Sequence, residues 1–237
     1  MATSVIKSVQ TQGIGFAPIL KYYFEKCGIS QIIDDYVPLD PRRKVLSHGQ
    51  ACVAMITAIL FQALQLYRLC KFADATTVLD VILPGIAPEE YFDDRLADTL
   101  NAIYNSGIGN LEIQITQKMI HEFDLQCPVC HNDTTSVSVY GQGNANKTAD
   151  SIKITYGYSK KHRQDLKQFV WSLKDVRNPK TEYLLCEFEY IVQGHMRLPD
   201  SNTYGFVSEL NSLQQDILAI LQVPAQCYSY EYLFDTQ

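Results

Sequence analysis

The chain lacks the marks of several large protein classes. Its longest apolar run, residues 51–66, is broken by Thr57, Gln62 and Gln65. A membrane-spanning helix needs about 20 mostly apolar residues, so no span is expected. No basic-plus-apolar N-terminal segment reads as a signal peptide, and the expected location is the cytoplasm. Internal repeats and low-complexity tracts are absent. The seven cysteines (27, 52, 70, 127, 130, 186 and 227) are scattered and odd in number, which argues for reduced thiols over a disulfide framework. Cys127-Pro128-Val129-Cys130 runs directly into His131, but no second C-x-x-C or H-x-x-x-H completes a structural zinc site. Two small residues at a strand entry is the expected reading of that pair.

Familiar catalytic signatures are missing too. There is no Ser-His-Asp order and no G-x-S-x-G elbow. Gly-x-Gly occurs at Gly13, Gly107 and Gly141, but none follows a strand and continues as x-x-Gly, so a phosphate-cradling loop is not indicated. His48, His121, His131, His162 and His195 show no ligand spacing and read as structural or surface residues.

What is present is an ordinary packed composition, 46% hydrophobic and 19% charged over 237 residues, with a net charge of −6. That length fits one large domain or two small ones. The charge is unevenly spread. Residues 1–173 hold 16 Lys/Arg against 17 Asp/Glu, whereas residues 174–237 hold 4 against 9. Within 147–167, six basic residues (Lys147, Lys153, Lys160, Lys161, Arg163, Lys167) face two acids, Asp150 and Asp165, and Arg42-Arg43-Lys44 is a second basic cluster. The acidic C-terminal quarter marks a seam.

The first 125 residues read as helical. Phe16, Ile19, Leu20, Tyr23 and Phe24 recur at three- and four-residue spacing, and Cys27-Gly28 supplies a stop. A short helix over 29–36 closes at Val37-Pro38. Ser47 is a natural N-cap with Gln50 at the capping-box position. The helix that follows, about 49–63, is apolar all round and is expected to be the buried hub of an N-terminal bundle. Further helices are expected over 66–81, 94–104 and 110–123.

The pattern changes after Leu125. Val129, Val137 and Val139 alternate with polar residues, a turn is expected over 141–146, and β-rich runs follow at 151–156 and 168–173. These strands are close enough in sequence to pair antiparallel. A polar turn over 175–180, a strand-like run over 182–192 and a helix stripe of Phe206, Leu210, Leu213, Ile217 and Leu221 complete the reading. That helix is expected to cover the sheet, whose edges would otherwise stay unpaired.

Two features carry chemistry. Asp133 heads the alternating run His131-Asn132-Asp133-Thr134-Thr135-Ser136-Val137-Ser138-Val139. A strand carboxylate suits a hard divalent cation; a surface Asp capping a turn is the plain alternative. The block 156–168, with Lys160, Lys161, Arg163 and Lys167, could hold phosphates, or be a solvated hairpin tip.

Three blocks in order carry a resemblance: "GISQIIDDYVPLDPRRKVLSHGQACVAMI", "HNDTTSVSVYG" and "ITYGYSKKHRQDLKQFVWSL". Over about residues 12–173 the chain resembles insertion-sequence transposases of the DDE, RNase H-like class. The resemblance implies an α+β protein: an N-terminal helical bundle, then a partial RNase H-like mixed sheet with a C-terminal helix. Residues 1–125 would be a helical DNA-binding domain, 126–173 a partial catalytic core and 174–237 a divergent segment. Asp133 matches the first metal-binding Asp of the triad, with Mg²⁺ as the implied cofactor. Lys160, Lys161, Arg163 and Lys167, together with Arg42, Arg43 and Lys44, would contact element-end DNA.

Beyond residue 173 the chain departs from that pattern, and no second Asp or helix-borne Glu is recognisable. Asp175, Glu182, Glu187, Glu189, Asp200, Glu209 and Asp216 match nothing in the family. One carboxylate does not assemble a two-metal site. Residues 174–237 are therefore expected to be unrelated sequence joined by truncation, frameshift or fusion. The leading expectation is a catalytically incomplete transposase derivative whose partners are DNA, an intact transposase or itself. A non-enzymatic DNA-binding protein or transposition inhibitor is the alternative, and an interaction module built on 174–237 a third.

Overall fold

The computed structural model describes residues 7–39, 45–61, 65–125, 131–139, 155–156, 167–175, 187–197 and 203–234, those between 131 and 175 by backbone alone. The protein is mixed α+β and divides into two compact units: Met1–Leu125 with Lys180–Gln237, and Gln126–Pro179.

The first unit begins with a strand, β1 (Ser8–Gly13), followed by α1 (Ala17–Cys27) and α2 (Ile29–Tyr36). Gly28 separates the two helices at φ 62°, a left-handed conformation that costs glycine little. Helix α3 (His48–Leu60) has the expected capping box: Gln50 N–H donates to Ser47 Oγ at 3.1 Å, and Ser47 N–H donates to Gln50 Oε1 at 2.9 Å. Asp34, on α2, strengthens this end. It accepts from Ser47 Oγ at 2.6 Å and from Gly49 N–H at 2.7 Å, placing a carboxylate at the positive end of the helix. A Cβ at Gly49 would run into the Ser30 backbone, so the α2–α3 crossing depends on that glycine.

Helix α3 is not buried all round. Ala51, Val53, Ala54 and Ala58 lie in the core, but Ile56, Ile59 and Leu60 are exposed. The continuous helix expected over 66–81 is instead a 3-10 turn (Leu66–Arg68), α4 (Leu69–Ala75) and α5 (Val78–Ile82). Thr76 Oγ1 donates to the Phe72 carbonyl, and such local bonds compete with helix continuation. Helices α6 (Asp93–Ser106) and α7 (Ile108–Glu122) fall where the sequence puts them, divided at Gly107.

The C-terminal stretch belongs to this same unit. Strands β5 (Val192–Arg197) and β6 (Thr203–Val207) form an antiparallel sheet in the order β1-β5-β6, with Ser8 opposite Arg197 and Gln193 opposite Val207. Helix α8 (Ser212–Ile220), with its own Asn211/Gln214 capping box, and the short α9 (Tyr230–Phe234) follow. Of the strand expected over 182–192, residues 182–186 lie outside the described residues and 187–190 are a turn, with β5 starting at Val192; Phe206 lies in β6 rather than on the helix stripe.

Helix α8 packs into the core of the first unit. Ile217 and Leu218 are buried in the same core as Ile14, Ile19, Val53 and Leu96. Tyr23 Oη donates to the Leu221 carbonyl at 2.6 Å, and Lys21 Nζ to the Tyr232 carbonyl at 3.1 Å. Tyr228 Oη donates to the Gly15 carbonyl at 3.2 Å while its ring stacks on Phe188. These ties join segments about two hundred positions apart. Whatever the origin of the C-terminal sequence, its apolar residues finish the N-terminal core.

The described residues of the second unit form a ribbon of three strands, β2 (His131–Val139), β3 (Thr155–Tyr156) and β4 (Lys167–Asp175), in the order β2-β4-β3. Pairing is antiparallel throughout, with His131 opposite Asp175, Thr135 opposite Trp171, and Thr155 opposite Gln168. The turn expected over 141–146 lies outside the described residues.

Candidate functional site

Asp133 lies near the start of β2, opposite Leu173. Strand faces alternate with a period of two, so His131, Asp133, Thr135, Val137 and Val139 share one face with Lys167, Phe169, Trp171, Leu173 and Asp175. Asn132, Thr134, Ser136 and Ser138 share the other face with Gln168, Val170, Ser172 and Lys174. The candidate carboxylate therefore sits at one end of the more apolar face.

Lys167 opens β4, paired with Val139 of β2 and Tyr156 of β3. Six residues separate it from the partner of Asp133, about 20 Å at strand spacing. Asp133 and Lys167 therefore stand toward opposite ends of the β2–β4 pairing. Lys160, Lys161, Arg163, Arg42, Arg43 and Lys44 lie outside the described residues. Asp175 and His131, both set aside by sequence reasoning, stand opposite each other on the Asp133 face. Their signal is the pairing register, which no linear spacing contains.

In the first unit, a cleft of about 380 Å³ opens beside α3, lined by Ile33, Cys52, Met55, Ile59, Leu66 and Leu100, among others. Among the described residues, Gln65 is its one polar side chain. Burial, with Asp34 nearby, pushes the Cys52 thiol up to about 12, so it is neither a nucleophile nor a metal-binding thiolate at neutral pH. Buried Lys21 is held below the ordinary lysine range, by desolvation first, and its ammonium sits over the Tyr232 ring. It ties α1 to the C-terminal segment. Buried His48 meets Thr99 Oγ1 at 3.2 Å, and exposed His195 meets Tyr230 Oη at 2.6 Å. Among the residues with described side chains, no group of three or more His, Cys, Asp or Glu could hold a metal ion. Among the described residues, no helix is long and apolar enough to cross a membrane.

Residues 9–117 match the model of a family described as a domain of unknown function, DUF4277. The match lies inside the first unit, running from β1 into α7, and ends before Asp133 and the basic block. No curated protein and no solved structure matches the chain.

Proposed function

We propose that this chain is a DNA-binding protein derived from a DDE, RNase H-like insertion-sequence transposase, without the carboxylates for complete two-metal strand transfer. The observation that carries the reading is the Gln126–Pro179 unit. It combines an antiparallel ribbon bearing Asp133 with a charge opposite to that of the rest of the chain: 8 Lys/Arg against 4 Asp/Glu, where the other unit has 12 against 22. Phosphate contacts are sequence-independent and come from such local excesses of cationic side chains. DNA would be held mainly by residues 126–179, with element ends as the ligand and an intact transposase as the competitor. The RNase H-like core and Mg²⁺ at Asp133 belong to this reading.

The test uses the whole protein, labelled duplex DNA and supercoiled plasmid, with Mg²⁺ supplied. The expected result is duplex binding at low salt that weakens steeply as salt rises, with no nicking. Absence of any shift at low salt removes the DNA reading. Mg²⁺-dependent nicking that disappears in Asp133→Ala overturns the claim of catalytic incompleteness.

A further inference from the structure

Strand β1 is an edge of the sheet β1-β5-β6, and all six of its residues are exposed. The other edge differs: the Tyr230 ring of α9 lies against Gly205 of β6, and Phe206 and Val207 are half-buried. Natural edge strands are usually guarded by a charge, a proline or a bulge. Ser8–Gly13 carries neither charge nor proline, and it pairs with β5 in unbroken register along its whole length.

The ladder fixes which backbone groups point outward. Residues of an antiparallel pair alternate between exchanging two hydrogen bonds and exchanging none. Ile14 N–H, one step beyond the strand, donates to the Ile191 carbonyl at 3.0 Å in the same register. Counting back by twos, Gln12, Gln10 and Ser8 turn their N–H and C=O groups toward β5. On β5, Val192 accepts from Ser208 N–H at 2.9 Å, so alternate residues from Val192 serve β6 and those from Gln193 serve β1, in agreement. Val9, Thr11 and Gly13 therefore hold their N–H and C=O groups toward the open edge. Among the described residues, no other backbone takes them up.

An edge of this kind accepts an extended strand, and β1 is complementary to itself. Set antiparallel about a twofold axis at Thr11, two copies bring Thr11 opposite Thr11, Val9 opposite Gly13 and Gln10 opposite Gln12. The outward groups then coincide, so that each Val9–Gly13 pair and the Thr11–Thr11 pair exchange two bonds. Threonine pairs stabilise a sheet, no like charges meet, and Val9 faces a glycine with open space around it.

We propose that β1 is a homodimerisation seam, through which two copies of this chain join in one continuous sheet, β6-β5-β1-β1-β5-β6. The seam lies in the first unit and does not rest on the DNA reading.

The test is sedimentation velocity on the full chain over a concentration series, without DNA. So short a seam falls at the small end of interfaces, and a reversible monomer–dimer equilibrium is expected. Thr11→Pro removes an outward N–H only, so it should weaken the dimer about tenfold or more while leaving the monomer's melting temperature nearly unchanged. Gln10→Pro removes a bond to β5 and should lower that temperature. Thr11→Lys and Thr11→Glu, each facing its own copy, should each be monomeric, and mixing the two should restore a dimer. That mixture decides the matter if the proline variant does not fold. Rising salt should keep or tighten the dimer, because copies of net charge −6 repel each other. The proposal is overturned by a single monomeric species up to about 100 μM, by a dimer indifferent to the Thr11 variants, by failure of the mixture, or by a dimer that dissolves as salt rises. A seam that passes these tests beside absent DNA binding would sink the proposed function and leave the dimer standing.

Discussion

The first unit takes its residues from both ends of the chain and carries a net charge of −10; the second is one continuous stretch with a net charge of +4. Their construction differs as much as their charge. In the first, helices from residues 17–122 and strands and helices from 187–234 contribute to one apolar core. In the second, the described backbone is a ribbon of three strands. Cooperative stability should therefore be sought where chain ends meet, and electrostatic binding where cationic residues outnumber acids. A net-negative unit repels a polyanion, while a basic one raises its association rate.

The most forceful way to break the comparison is to attack the first core through its C-terminal part. Phe188 is fully buried and stacks on Tyr228, so Phe188→Ala should cost about 3–5 kcal/mol. Thermal melting read on α1–α7 should show the loss, because those helices share the core. An unchanged melting temperature would mean that residues 187–234 are dispensable to that core.

Alkaline pH should act on the same unit. Burial raises Cys52 to about 12 and Cys227 to about 11, and pushes Tyr91 and Tyr228 upward as well. These groups stay neutral in the fold while the unfolded chain ionises from its ordinary thiol value of 9.0. Stability is therefore full below pH 9 and falls as pH rises toward 12. Lys21 works in the opposite sense, since a lowered lysine favours folding as pH rises, but it is one group against several. Denaturant midpoints at pH 8 and pH 10.5 check the sign: the midpoint is expected to be lower at about pH 10.5.

DNA binding offers a sharper division between the units. Alanines at Lys160, Lys161 and Arg163 should reduce the slope of log affinity against log salt by about 0.9 for each phosphate no longer neutralised. Alanines at Arg42, Arg43 and Lys44 should change it less. Equal effects would remove the assignment of phosphate binding to residues 126–179. The smallest effect is expected on the surface of α7. Lys118 donates to Glu122 one turn on at 2.9 Å, and exposed pairs of this kind add little, so Lys118→Ala should leave the thermal midpoint nearly unchanged. A clear fall in that midpoint would show that the pair does more than decorate a helix.

Local rules made much of the first unit legible. The α1 boundary at Gly28, the α2 stop at Val37, the Ser47 capping box and the α6 and α7 spans follow from short-range chemistry. Strand β1 carries no apolar alternation to reveal it, since Ser8–Gly13 is exposed throughout and Val9 is its single large apolar residue. It is a strand because β5 lies beside it. The break of 66–81 into shorter pieces was equally hidden, since apolar spacing persists across Thr76 and Thr77.

At the candidate site the sequence offered Asp133, a run of cations and an alternating pattern suited to pairing strands. It offered no reason to join His131 to Asp175, because register is settled by which residues face one another across strands. The same limit applies to the C-terminal quarter. By itself the sequence determined helix ends, caps, strand periodicity and charge, all of which depend on neighbours a few residues apart. Only tertiary structure decided that residues 187–234 complete the N-terminal core, because such burial depends on apolar surfaces about two hundred positions apart meeting in space.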